Sequence, residues 1–581
     1  MNAPLRILII GGYGAFGGRI VELLDADARL SLIVAGRSLD KAQAFCRSRP
    51  KAAALLTAAT FDRDAEIEPQ IARLKPDIVI DASGPFQAYG EGRYRVIEGC
   101  IAQRVDYLDL ADGSDFVAGV KAFDGAAKAA GISALSGVSS FPVLTAAVVR
   151  RLSGDMSRVE SIRGGIAPSP FAGVGKNVVR AIAGYSGQSI PLRKNGGMTT
   201  GFPLTEQMRF TVAPPGRLPL RNTLFSLVDV PDLRALSDLW PEAQDIWMGA
   251  GPVPEILHRL LIGLAWLVRW KLIASLTPIA GLMHLATNRL RWGEHRGGMF
   301  VEIVGKDAAS RNRKRSWHLL AEGDDGPLIP SMAVAAILHR VLAERKPPPG
   351  ARAATGDLEL EDYEALFVSR TIYAGIREDA STAGQSLYRL ILGPAYDALP
   401  AEIRQMHDDA PFAEGEASVE RGSGVLARMA AKLVGFPHAA RQTPVRVTFE
   451  RVEGREIWTR AFGREAFRSR QFAGTGRSDR LLVERFGPLE FGMGLVVEES
   501  KLLLKLRRWS AFGIPLPLWL GPRSAAFESV EQGLFHFNVE ISHPFAGLIV
   551  RYRGWLKPGG TSGSAGSDNA SPVRETQAFG D

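Results

Sequence analysis

A strand-like run at residues 5–10 leads into Gly11-Gly12-Tyr13-Gly14-Ala15-Phe16-Gly17-Gly18, and an apolar helical pattern follows through Ile20, Leu23 and Leu24. A second strand-like run, 30–35, ends in Gly36-Arg37-Ser38. G-x-G-x-x-G placed after a strand and opening a helix constrains the fold more than any other stretch. It asks for a βαβ unit in a parallel sheet. In such a unit Gly12 permits the tight turn, Gly14 lets backbone approach a pyrophosphate, and Gly17 lets the helix pack close to the strand. The pyrophosphate rests on free N–H groups at the helix start. Residues Gly12, Tyr13, Gly14, Ala15, Phe16 and Gly17 are therefore the expected dinucleotide cradle. The alternative is an ordinary glycine-rich turn of an α/β protein.

The end of the second strand selects the cofactor. An NAD site wants Asp or Glu there for the ribose hydroxyls. This chain has Arg37, with Ser38 and Lys41 beside it, and a guanidinium suits a 2′-phosphate, so the expectation is NADP.

At 581 residues the chain exceeds what one core supports. Its net charge of +8 is spread thinly and no nucleic-acid motif appears, so no nucleic-acid partner is expected. Two cysteines, Cys46 and Cys100, allow neither a disulfide framework nor a zinc spacing, and the histidines are scattered. No metal is expected. The chain enters its first strand without a signal-like segment, which points to the cytoplasm.

Strand and helix patterns alternate to about residue 149, giving a Rossmann-type doubly wound parallel sheet. Its ligand-facing strand ends are Gly11 to Gly17, Gly36 to Ser38, Ser83-Gly84-Pro85-Phe86, 109–112 and 137–142. Residues 150–345 read as an α+β substrate and dimerisation region, with paired strands at 299–304 and 316–321, a basic turn between them and an apolar-faced helix at 329–343. Within it, 254–292 is apolar but interrupted by Arg269, Trp270 and Lys271. A buried pair of helices, an interfacial element touching a membrane peripherally, and a true span are the three readings, and no uncharged run reaches the length of about 20 residues that a span needs. Residues 346–386 read as a linker followed by a helical stretch, 359–378. Residues 387–556 read as a separate β-rich domain forming an antiparallel sheet or half-barrel. Its aromatic stripes (Trp509, Phe512, Trp519, Phe535, Phe537) read as core. The tail, 557–581, reads as disordered.

Five ordered elements resemble the saccharopine-dehydrogenase-like oxidoreductases. They are the glycine fingerprint with Gly36-Arg37, then Gly84-Pro85-Phe86 with Tyr89-Gly90, a helix ending near Cys100, Tyr107-Leu108-Asp109-Leu110, and Gly137-Val138-Ser139-Ser140-Phe141-Pro142. The last third resembles an uncharacterised bacterial domain of unknown function, through Phe491-Gly492-Met493-Gly494 and Phe535-His536-Phe537-Asn538. The first resemblance implies NADP-dependent hydride transfer to or from a C=N or C=C bond of a small molecule, lipid precursors included.

Candidate catalytic groups are few. Asp109, at a strand end, suits orienting the nicotinamide ribose or relaying a proton, or else caps the next helix. Lys176, after Gly173-Val174-Gly175, suits an anionic substrate group. Ser83, Gly84, Pro85 and Phe86 are expected along the cofactor. None of the ten tyrosines has lysine four residues on, which excludes short-chain-dehydrogenase chemistry. The competing reading is a catalytically silent NADP-binding protein whose C-terminal domain binds a hydrophobic ligand or a partner. A cleft with ordered polar groups beside the nicotinamide position separates the two.

Overall fold

In the computed structural model, residues 3–379, 384–408, 410–452 and 454–559 are described; the expected disordered tail lies almost wholly outside them. The chain divides into two compact units. The first is residues 1–385 with the short returns 390–395 and 474–481, and the second is the remainder from Ser386 onward.

The first unit holds two seven-stranded sheets. One is wholly parallel, in the order Gly350–Ala353, Ser133–Ser136, Asp106–Asp109, Ile78–Asp81, Leu5–Ile10, Leu30–Gly36, Leu55–Thr60. The order in which the chain adds strands reverses between Leu5–Ile10 and Ile78–Asp81, and this switch point is where such sheets bind ligands. Alternate residues of one strand feed opposite faces: Ile7 and Ile9 enter one core cluster, Leu8 and Ile10 the other. That double burial explains why the run is apolar without alternation.

Residues 346–386 are not a linker. Gly350–Ala353 adds the seventh strand, pairing in parallel with Ser133–Ser136. Helix Leu360–Phe367 buries Tyr363 and Phe367. Ile372–Glu378, read from sequence as helical, is the edge strand of the second sheet. A four-residue strand of Gly, Ala and Arg following a proline run carries no β-branched signal, so composition pointed the wrong way.

The second sheet is mixed, in the order Gln207–Phe210, Thr223–Leu227, Asp245–Ala250, Met156–Ala167, Arg296–Asp307, Asn312–Glu322, Ile372–Glu378. The expected pair lies at its heart, with Met299 opposite Leu319. Helix Ile329–Leu342 is apolar on nearly every side because it is buried on nearly every side, and Ser331 Oγ reaches the Phe16 carbonyl of the fingerprint helix at 3.3 Å.

Residues 254–292 form helices Glu255–Arg269 and Ala280–Arg289. Val268, Leu276 and Ala280 pack with Ala183, whereas Ile256, Leu260, Trp270, Leu272, Leu282 and Leu285 are exposed. The pair is therefore only half buried. Among the described residues no helix is long and apolar enough to cross a membrane.

In the second unit, ten antiparallel strands close into a barrel, sealed where Leu489–Glu498 pairs with Lys501–Ala511. The half-barrel expectation thus becomes full closure. Strands Phe412–Arg421, Glu465–Ala473 and Arg523–Glu531 and helix Val425–Val434 were not legible in the sequence.

Candidate active site

The fingerprint loop is pinned by its own backbone. Gly11 and Gly12 both donate to the Ala35 carbonyl (2.8 and 3.1 Å), and Gly14 donates to Gly11 (2.8 Å). The positive φ of the turn, +76°, falls on Gly11 rather than Gly12. Gly12 is needed for space, since a Cβ there would lie 2.9 Å from the Ile9 carbonyl. Gly17 is the tightest of the three, because a Cβ would sit 2.2 Å from the Gly11 carbonyl oxygen. Helix Ala15–Leu24 then starts with no side chain capping it, its N-cap being Gly14. The cradle fits a pyrophosphate.

At the next strand end, Tyr13 lies against Gly36, and its hydroxyl accepts the Ser38 N–H at 3.1 Å. The Ser38 hydroxyl caps helix Leu39–Arg47 by accepting the Lys41 N–H. Arg37 is exposed, with no hydrogen-bond or ion-pair partner among the described residues. Three cationic or hydrogen-bonding positions thus flank the place of the adenosine ribose.

Across the switch point, buried Asp81 accepts from Ser83 N (3.0 Å) and Ser83 Oγ (2.5 Å) and pairs with Arg63 (3.4 Å). Ser83 Oγ also meets the Tyr89 hydroxyl (2.8 Å), and the Arg63 guanidinium stacks 3.2 Å from the Tyr89 ring centre. Burial, with Asp81 nearby, pushes that phenol above its ordinary range. Phe86 is buried edge-on against Tyr89 and Phe116. Ser83, Gly84, Pro85 and Phe86 therefore form a rigid wall opposite the glycine loop.

Beyond that wall lies a cluster of acidic and phenolic groups. Gln87 donates to Asp112 (2.9 Å), and Ser114 Oγ donates to Asp229 (2.6 Å). Solvent reaches Asp112, yet protein crowds it, and lost hydration raises its carboxyl above the usual range. Burial likewise raises Asp229, opposed by the Ser114 hydroxyl. Burial and both carboxylates push the Tyr185 phenol up. Tyr185 ends helix Lys176–Tyr185, whose second residue, Asn177, donates to the Gly84 carbonyl at 2.9 Å. The helix therefore runs from the cofactor wall to this acid cluster. Carboxyls raised in this way beside a strand end are candidates for exchanging a proton with a reacting atom.

Residues 7–135 match the saccharopine dehydrogenase NADP binding domain, and residues 399–556 match a domain of unknown function, DUF4166. The chain joins a saccharopine dehydrogenase NADP-binding domain to a DUF4166 domain. Residues 7–135 thus form an NAD(P)-binding domain of the saccharopine dehydrogenase kind. No curated protein matches the chain. Among solved structures, apo saccharopine dehydrogenase (L-Glu forming) from Saccharomyces cerevisiae aligns at 14% identity, over 65% of this chain and 100% of that one, with a TM-score of 0.47. Biliverdin reductase with biliverdin and NADP+ from Synechocystis sp. PCC 6803 aligns at 12% identity, over 62% and 95%, with a TM-score of 0.30.

Asp109 is placed differently from its sequence reading as a helix cap: the helix that follows, Ser114–Gly119, is capped at Gly113. Asp109 is fully buried, and its Oδ1 accepts from Ala111 N (2.9 Å), Ser136 Oγ (3.0 Å) and Gly137 N (2.8 Å). It staples two strand ends together. Its Oδ2 has no hydrogen-bond partner, and burial pushes the carboxyl up to about 7. Lys176 is exposed at its helix start. Asn177, Tyr185 and Asp229 belong to no motif, so sequence reasoning missed them. Asp112 carried a signal, its place at a strand end.

Proposed function

We propose that the chain is an NADP-dependent oxidoreductase that moves a hydride to or from a C=N or C=C bond of a small molecule held beside the Asp112–Tyr185–Asp229 cluster. The observation that carries this reading is the cluster itself: Asp112 and Asp229, carboxyls raised by burial, and the Tyr185 phenol lie close enough to act on one another, and helix Lys176–Tyr185 ties them to the Gly84 carbonyl. Bound NADPH supplies the hydride. The chain's part is to bind, orient and handle protons. Arg37, Ser38 and Lys41 hold the 2′-phosphate, the Gly12–Gly17 loop holds the pyrophosphate, and Asp112 or Tyr185 keeps a proton for the substrate atom next to the reduced carbon.

NADPH oxidation against a panel of imines and enoyl compounds, lipid-like ones included, tests this. Asp112→Asn should cut turnover by about 100-fold or more while leaving NADPH affinity unchanged. Binding without turnover across the panel would favour the silent reading. The exposed apolar side of 254–292, with Arg269 and Lys271 beside Trp270, supports a peripheral lipid contact that would bring an apolar substrate to the cluster. The pair Leu260→Asp and Leu282→Asp should reduce sedimentation with vesicles if so.

A further inference from the structure

The C-terminal barrel encloses a cavity of about 320 Å³. A ring of ten strands is wider than side chains alone fill, and small-molecule sites begin near this size. Phe436, Phe462, Phe491, Trp509, Phe537 and Tyr552 are among its walls. The aromatic stripe read from sequence as core is thus divided: Trp509, Phe535 and Phe537 line the cavity, whereas Phe512 and Trp519 are exposed.

Polar groups interrupt the apolar wall, among them Ser524, His543, Glu528, which meets His407 Nε2 at 2.7 Å, and a cluster around Glu484. Oε1 of Glu484 accepts from Arg460 (3.0 Å), Ser469 (2.6 Å) and Gln471 (3.1 Å), and Gln471 in turn accepts from Tyr388 (3.1 Å). Arg460 and Glu484 neutralise each other, and none of these donors uses the second Glu484 oxygen. That wall suits an uncharged apolar molecule with one hydroxyl.

The barrel's two ends differ. Following strand register, connections 422–439, 463–464, 487–488, 512–522 and 544–546 all lie at one end. That end exposes Leu426, Met429, Leu433, Phe512, Trp519 and Phe545. The opposite end, among the described residues, exposes only Val452 as a large apolar side chain. The five connections contain no Asp or Glu, and they carry Arg428, Lys432 and Arg464. Helix Val425–Val434 links rim to interior, since Ala430, Leu433 and Val434 line the cavity from the same helix that exposes Leu426 and Met429.

We infer that the barrel is a lipid-binding module: its apolar end, whose five connections hold no acidic residue and whose bordering Glu465 is engaged by His438, docks on an anionic bilayer, and its cavity takes up one uncharged, hydroxyl-bearing lipid from it. Apolar side chains enter the acyl boundary while cations meet the headgroups. This inference is independent of the reading given for the oxidoreductase half.

The test uses the full chain and the uncharged probe N-phenyl-1-naphthylamine. Fluorescence should rise saturably with one probe per chain, and hexadecanol should displace it better than palmitate. Ala526→Trp, on the cavity wall, should weaken the probe about tenfold or more by filling space and leave NADPH binding intact. In the Leu260→Asp Leu282→Asp background, which removes the contact proposed for 254–292, Leu426→Asp with Met429→Asp should keep probe binding in solution but lose the remaining sedimentation with phosphatidylcholine–phosphatidylglycerol vesicles. Native mass spectrometry of the wild-type chain after exposure to such vesicles containing diacylglycerol should show one bound diacylglycerol, which keeps the proposal testable if Ala526→Trp does not fold. No saturable probe binding, or no bound lipid, overturns the cavity assignment. Unchanged sedimentation of the rim variant overturns the docking end.

Discussion

Arg37 stands exposed at the end of the second strand, and no carboxylate neutralises it among the described residues. Replacing it reads the cofactor choice directly. Arg37→Asp should weaken NADPH by about 1.5–3 kcal/mol, the worth of hydrogen bonds to a charged group, and leave NADH little changed; equilibrium titration of both checks it, and equal losses would remove Arg37 from the 2′-phosphate. Asp109 is the opposite kind of residue, buried and stapled. Its carboxyl titrates near 7 when folded, against the ordinary carboxylate range when unfolded. Between about pH 4 and 7 the folded state therefore binds more protons, and stability falls as pH rises, with a slope approaching about 1.4 kcal/mol per pH unit from this group. Asp109→Asn keeps the oxygen that accepts from Ala111, Ser136 and Gly137. The variant should lose that slope, matching wild type near pH 4 and exceeding it near pH 8 in urea melts. A turnover loss at unchanged stability would instead return Asp109 to the chemistry.

Among the elements, those carrying strong local constraint were legible. The Leu5–Ile10 strand is buried on both faces, and the glycine loop after it has no room for side chains. Gly17→Ala puts a methyl against the Gly11 carbonyl and, at 2.7 Å, the Gly12 Cα. Helix and strand would have to separate, at a cost of about 1–3 kcal/mol, and dinucleotide binding should fall with the melting temperature. A variant that binds normally would show that the close approach is not needed. The barrel strands were half legible for a related reason. Alternation in Lys501–Ala511 announces pairing with a neighbour, and Leu489–Glu498 is its hairpin partner, but closure also needs Phe412–Arg421 to pair with Gly547–Gly559, far away in sequence, and no local pattern encodes that. Phe412–Arg421 alternates small residues (Ala413, Gly415, Ala417) with polar ones, too weak an apolar signal to stand out. The acid cluster was hidden because Tyr185 and Asp229 come near Asp112 only through the tertiary fold.

On the scale of the whole molecule, where the chain can be cut differs from where composition suggested. Ending it at Arg345 removes strands Gly350–Ala353 and Ile372–Glu378 together with buried Tyr363 and Phe367, exposing an edge on each sheet of the first unit. Ending it at Gln385 keeps both sheets whole. That longer piece still loses residues the first unit draws from further on. Arg377, nearly buried, donates to the Ala213 carbonyl (2.7 Å) and to the Ile391 carbonyl (2.9 Å), and the second acceptor disappears. An unmet donor on a buried charged group costs about 1–3 kcal/mol or more, a few degrees of melting temperature in a domain of this size. The expected outcome is graded. The piece ending at Arg345 precipitates; the piece ending at Gln385 melts early but binds NADPH and takes up no naphthylamine probe. NADPH binding by the shorter piece would mean that the seventh strand is dispensable, and its loss from the longer one would mean that the dinucleotide site needs the segments 390–395 and 474–481.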